Sequence, residues 1–167
     1  MDFEVLPSDA AEIHNEELTA SEISQVNAYR KARAVAKKCP DALVLGADTL
    51  VYLETKLFGK PANLEDAYRM LKQLQGRTHE VVTGVCLIHL RNHQQKIFAE
   101  STSVTFRRLD AKQIQDYLGR INPLDKAGAY AIQEHGDRIV AQIAGSLSNV
   151  VGLPVERLRA ELASWGT

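Results

Sequence analysis

The chain has little cysteine, no surplus of either charge and no long apolar run, and each shortage excludes something. Two cysteines, Cys39 and Cys86, stand far apart in 167 residues. That spacing excludes a CxxC metal site, and in a chain without an export signal such thiols are read as reduced rather than disulfide-bonded. Twenty basic and 21 acidic residues leave a net charge of −1. No global field therefore draws in a nucleic-acid backbone or an anionic membrane, and any phosphate binding has to be local. The longest strongly apolar stretch, Val81 to Leu90, is interrupted by Thr83, Gly84 and His89 and is too short and too polar to span a bilayer. The opening Met1-Asp2-Phe3-Glu4 lacks the basic start and apolar segment of a secretory signal, so a cytoplasmic location is expected. Of the histidines, His14, His79, His89, His93 and His135, only His89 and His93 have ligand-like spacing, with no third ligand nearby, whereas a protein zinc site needs three or four.

What is present reads as a single α/β domain over residues 1–167, with room for two lobes and no linker, repeat or low-complexity tract. A first helix follows Thr19 or Ser21, with Ile23, Val26, Ala28, Tyr29, Ala32 and Val35 at helical spacing, and ends before Pro40. A strand Ala42–Leu45, a loop holding Asp48 and a strand Leu50–Leu53 come next. Asn63 caps a second helix, closed by Gly76, with the stripe Leu64, Ala67, Leu71 and Leu74. Val81–Leu90 and Lys96–Phe106 form an antiparallel pair about the turn Arg91–Gln95. A third helix spans Asp110–Leu118, two short strands flank His135-Gly136-Asp137, and Pro154 opens a last helix at its first position.

Asp48 is the first candidate site residue, because Ala42-Leu43-Val44-Leu45 breaks there into Gly46-Ala47-Asp48-Thr49. An ionised carboxylate at the end of a buried strand costs several kcal/mol unless it is partnered, so a metal ion or a lysine is expected beside it, Lys60 in Gly59-Lys60-Pro61 being available. The plainer reading is that Asp48 starts a turn. Lys31 lies on the helix face of Asn27, away from the Ile23 and Val26 stripe, and a solvated role accounts for it equally well. The run Asp125-Lys126-Ala127-Gly128-Ala129-Tyr130-Ala131-Ile132-Gln133 has small residues that let something approach the backbone, either a ligand or the protein's own packing, with Gln133 as donor and acceptor.

The strings VLGADTLV, FGKP, THEVVTGV, VTFRRL, PLDKAGAYAIQ and NVVGLP stand in this order, and from Phe3 onward the chain resembles the Maf family of nucleoside triphosphate pyrophosphatases. The resemblance implies an α/β fold like that of the inosine triphosphate pyrophosphatases, an elongated mixed sheet with flanking helices and two lobes around a nucleotide cleft. It implies hydrolysis at the α-phosphorus to monophosphate and pyrophosphate, on dTTP or UTP by the branch these strings resemble, with modified pyrimidine nucleotides as further candidates. By the same resemblance Asp48 is the catalytic carboxylate and a Mg²⁺ or Mn²⁺ ligand, and Glu12 is a second acidic ligand. Thr49 stands beside Asp48, Lys31 and Lys60 bind phosphates, and Gln133 contacts substrate. Mg²⁺ suits this set, since it takes one or two carboxylates together with phosphate oxygens. The partners implied are the nucleotide and no nucleic acid or membrane.

The family's opening strand and Ser-x-Ser-Pro-Arg-Arg turn, a phosphate cradle, have no counterpart here, and Met1 falls where the next strand is expected. An N-terminal truncation or a genuine loss is the expectation, with an uncovered edge that leaves a homodimer open. The competing function is a catalytically impaired, nucleotide-binding regulator linked to arrest of cell division.

Overall fold

The computed structural model describes residues 2–165. Residues 2–14 take no helix or strand, and Phe3 and Val5 lie largely exposed, so the strand expected at the start of the chain is not formed. Helix α1, Ala20–Ala36, begins where Thr19 supplies a capping box: its hydroxyl accepts from the Glu22 amide while the Glu22 carboxylate accepts from the Thr19 amide. Such a cap stabilises a helix by about 1 kcal/mol. Ile23, Ala28, Ala32 and Val35 are buried as expected, but Val26 is exposed and Ser24 and Asn27 are buried in its stead. The apolar stripe is displaced because this face of α1 meets glycine and a carboxylate rather than large side chains.

Strand β1 runs unbroken over Leu43–Leu53, so the expected loop at Asp48 is absent. Gly46 interrupts the apolar run without interrupting the strand. A Cβ there would stand 2.5 Å from the Ala28 carbonyl oxygen and 2.8 Å from the Ala32 nitrogen, so its missing side chain is what lets α1 lie on the strand backbone. Val44, Gly46, Asp48 and Leu50 share the inward face through the two-residue period of a strand. Asp48 is thus a core-facing position of a continuous strand.

Strand β2, Lys56–Phe58, folds back on β1 with Val51 opposite Phe58 and Leu53 opposite Lys56. Helix α2, Leu64–Leu74, is capped by Asn63, whose side chain accepts from the Asp66 amide, and Gly76 follows at φ +68°. Ala67, Leu71 and Leu74 are buried, whereas Leu64, in the first turn, is exposed. Strands β3, Thr78–His89, and β4, Gln94–Phe106, are the expected pair, and helix α3, Ala111–Leu118, is capped by Asp110. Only one of the two strands expected around His135 exists: β5, Val140–Ala144, pairs antiparallel with β4, while the chain before it makes two 3₁₀ turns, Ala127–Ala129 and Gly136–Arg138. Left-handed backbone at Gly128, Ala129 and His135 is what denies that stretch a strand. Helix α4, Leu147–Val151, was not expected, and in α5, Val155–Ala163, Pro154 is the cap and not the first helical residue. The five strands are ordered β2-β1-β3-β4-β5.

The chain divides into two compact units, one comprising the chain up to Asp48 with Thr83–Glu100, the other Thr49–Val82 and the chain from Ser101 on. The first unit's core is Ala28, Ala32, Val35, Ala36, Val44, Cys86 and Ile88. The second packs Leu71, Leu74, Val81, Val104, Phe106, Ile114 and Tyr117 around a triad of rings in which His79, Phe106 and Tyr130 meet edge to face. Among the described residues no helix is long and apolar enough to cross a membrane.

Candidate active site

Three of the expected residues meet in the first unit. Asp48 is 6 % exposed and its Oδ1 accepts from the Lys31 ammonium at 2.7 Å. The same ammonium lies 2.8 Å from Glu12 Oε1. The lysine beside Asp48 is therefore Lys31 of α1 and not Lys60. Lys31 reaches it because residues 27 and 31 lie one helical turn apart on the side of α1 that passes over β1. Burial works to lower the Lys31 pKa, but hydrogen bonds to Asp48 and Glu12, reinforced by their charges, outweigh it and raise the pKa above its ordinary value. Lys31 is an ammonium at neutral pH. The solvated reading of this residue is excluded.

Asp48 has a second partner that sequence reasoning passed over. The Asn27 amide donates from Nδ2 to Asp48 Oδ2 at 3.1 Å, and its Oδ1 accepts from the Ile13 amide at 2.8 Å. An asparagine inside a helix is a poor helix former, and one that stands a turn before a candidate lysine was the available signal. Beside this group lies a cleft of about 360 Å³, with Ser8, Glu12, Lys31, Gly46 and Ala47 in its wall. Leu6, Val35 and Leu45 complete the wall, so Ser8, Glu12 and Lys31 are the few polar groups that would orient a ligand in it.

The other expected residues belong to the second unit. Thr49 donates its hydroxyl to the Gly152 carbonyl oxygen at 3.4 Å. Lys60 is exposed between Gly59 and the buried Pro61, and Gln133 is exposed on the stretch between the 3₁₀ turns. Their two loops are joined through the Gly128 amide, which donates to the Gly59 carbonyl oxygen at 3.1 Å. A Cβ at Gly128 would come 3.2 Å from Val51, so here the small residues serve the protein's own packing. Tyr117 holds the approach to Gln133: its hydroxyl donates to the Ala131 carbonyl oxygen at 3.2 Å and accepts from the Ala131 amide at 3.1 Å. Burial pushes the Tyr117 phenol up to about 12, which keeps this clamp neutral and intact at any ordinary pH.

Comparison with known proteins shows what the chain as a whole is similar to. The chain is 44% identical over 165 residues to a dTTP/UTP pyrophosphatase of Carboxydothermus hydrogenoformans, covering 98% of this chain and 88% of that protein. It is 45% identical over 157 residues to a dTTP/UTP pyrophosphatase of Ruminiclostridium cellulolyticum, covering 93% and 81%. A Bacillus cereus protein of the same name is 43% identical over 160 residues, covering 96% and 83%. With the model of the family described as Maf-like protein matching residues 1–165, the chain belongs to the Maf-like protein family.

Proposed function

We propose that this chain is a nucleoside triphosphate pyrophosphatase that hydrolyses dTTP and UTP to the monophosphate and pyrophosphate. The observation that carries the reading is the convergence of Glu12, Lys31 and Asp48 through one ammonium, with Glu12 and Lys31 in the wall of the first unit's cleft. It gains weight from relatives that bear the name of this activity. In the reaction a water oxygen bonds to the α-phosphorus as the bridging bond to the β-phosphate breaks, and pyrophosphate departs with the bonding electrons. Asp48, held on one oxygen by Lys31 and on the other by Asn27, would orient that water and take its proton. Lys31 and Lys60 would neutralise phosphate charge, most of all the charge that grows on the leaving pyrophosphate. Thr49 and Gln133 are assigned to substrate contact.

The residues fit a divalent cation. Carboxylate oxygens of Glu12 and Asp48 both point at one cation, the Lys31 ammonium, at 2.8 and 2.7 Å. Among the described residues no group of three or more His, Cys, Asp or Glu side chains is placed to hold a metal. Two carboxylates suit Mg²⁺, which binds one or two of them and completes its shell with water and substrate phosphates. Glu12 and Asp48 would hold it, and when bound it would supply charge neutralisation at the phosphates and a more acidic water.

Pyrophosphate release from a panel of dTTP, UTP, dCTP, ATP and GTP, with Mg²⁺ and with chelator, tests the reading. Turnover of dTTP and UTP at least tenfold above the purine nucleotides, abolished by chelator, is expected. Nucleotide binding with no pyrophosphate from any of them would overturn it in favour of a nucleotide-binding regulator.

A further inference from the structure

Asn27 is 1 % exposed, in the interior of α1, and makes more site contacts than any role assigned above requires. Its Oδ1 accepts from the Ile13 amide at 2.8 Å, and its Nδ2 donates both to the Ile13 carbonyl oxygen at 3.3 Å and to Asp48 Oδ2 at 3.1 Å. The pair of bonds to Ile13 imitates one rung of a sheet and fixes the backbone beside Glu12. That matters because Glu12 sits on a segment with no helix or strand, so its Cα has no regular framework to place it. The remaining bond takes the Asp48 oxygen that Lys31 does not, which fixes the rotation of that carboxylate. A flexible lysine alone sets neither quantity, since an ammonium on a four-carbon stem follows its partners wherever they go.

We propose that Asn27 is a positioning residue: one buried carboxamide sets the distance and orientation between Glu12 and Asp48, and thereby the affinity of the site for a divalent cation. The inference rests on the pyrophosphatase reading for its catalytic consequence, but the clamp itself can be measured without turnover. Asn27→Leu keeps the volume and removes all three bonds. Asn27→Ser keeps a polar group too short to reach Ile13 and Asp48 together. Each is compared with the unaltered chain in amide hydrogen exchange, in Mn²⁺ binding followed by electron paramagnetic resonance, and in kcat and KM for dTTP with Mg²⁺.

Exchange at Ile13 and its neighbours is expected to quicken by tenfold or more, while protection in β3 and β4 stays as in the parent. Mn²⁺ affinity should fall about tenfold and kcat about tenfold to a hundredfold, the size expected for losing a hydrogen bond to a charged group. KM for dTTP should stay within threefold, which separates positioning from a general loosening of the fold. Parental exchange at Ile13 in a folded variant, or Mn²⁺ affinity and kcat both within threefold of the parent, would overturn the proposal. Should Asn27→Leu not fold, the serine variant decides by the same limits. A parent chain that turns over no nucleotide would sink the pyrophosphatase reading, whereas exchange and Mn²⁺ binding would still decide the role of Asn27.

Discussion

Acidification should weaken this protein through one histidine. His79 is 1 % exposed between Phe106 and Tyr130, with Nε2 2.8 Å from the Tyr130 hydroxyl and a buried Nδ1 that has no hydrogen-bond partner among the described residues. Burial lowers its pKa from 6.5 to about 4, against a smaller opposing pull from Glu80. Burial also pushes the Tyr130 phenol far up, so the partner is a neutral hydroxyl that offers no compensating charge. The unfolded chain takes up the proton near 6.5 and the folded chain only near 4. Stability from this group is therefore complete above about pH 6.5, falls as pH drops through that value, and reaches its full loss near pH 4. At roughly 1.36 kcal/mol per pKa unit the loss amounts to about 3 kcal/mol in all, and to about 2 kcal/mol by pH 5. Urea unfolding at pH 7, 6 and 5 of the parent and of His79→Phe isolates the effect, because every other titrating group is common to both. The phenylalanine variant, although weakened at pH 7 by stranding the Tyr130 hydroxyl, should lose about 2 kcal/mol less than the parent between pH 7 and pH 5. Parallel losses in the two proteins would refute the reasoning.

Further tests bear on the site and its framework. Asp48→Asn should lower turnover of dTTP by about two to four orders of magnitude, and pyrophosphate release within threefold of the parent would remove Asp48 from the reaction. Lys60→Ala, at an exposed residue, should weaken binding of dTTP much more than of dTMP without altering the thermal midpoint, and equal changes for the two nucleotides in calorimetry would make Lys60 a surface residue. Lys31→Ala should weaken dTTP binding and also lower the midpoint, because it leaves Asp48 buried without its ammonium, and an unchanged midpoint would contradict the pairing described here. Gly84→Ala places a Cβ against the backbone of Ser24 and Gln25, a collision that should cost about 3 kcal/mol in chemical denaturation, with a loss below about 1 kcal/mol showing that α1 can retreat.

The parts of this fold that announce themselves in the sequence are those fixed locally. Thr19, Asn63 and Asp110 begin helices within a residue or two of expectation because a cap is a contact between near neighbours. The β3 and β4 hairpin is legible because its turn is polar and its strands are long. Elements decided by distant contacts were not legible. Strand β2 is three residues long and carries no period, and the continuity of β1 through Gly46 depends on a helix ten or more residues away. The stretch before β5 is shaped by Tyr117 and by left-handed residues of which only Gly128 is a glycine in the 3₁₀ turn itself. At the site, the resemblance implied that Glu12 and Asp48 share a metal, but the ion pairs of Lys31 with both carboxylates were not readable, since they are made by the packing of α1 on β1. Asn27 escaped notice for the same reason.

The close seating of α1 acts as an azimuthal key. Ser24, Ala28 and Ala32 form one row along the helix, four residues apart, and that row rests on Gly84 and Gly46. The neighbouring row, Asn27 and Lys31, carries the polar chemistry. Rotating the helix by one residue, roughly 100°, would present a larger side chain to a gap sized for hydrogen. The two glycines thus forbid every rotation of α1 but one, and the heading of the Lys31 ammonium is determined by atoms that carry no charge.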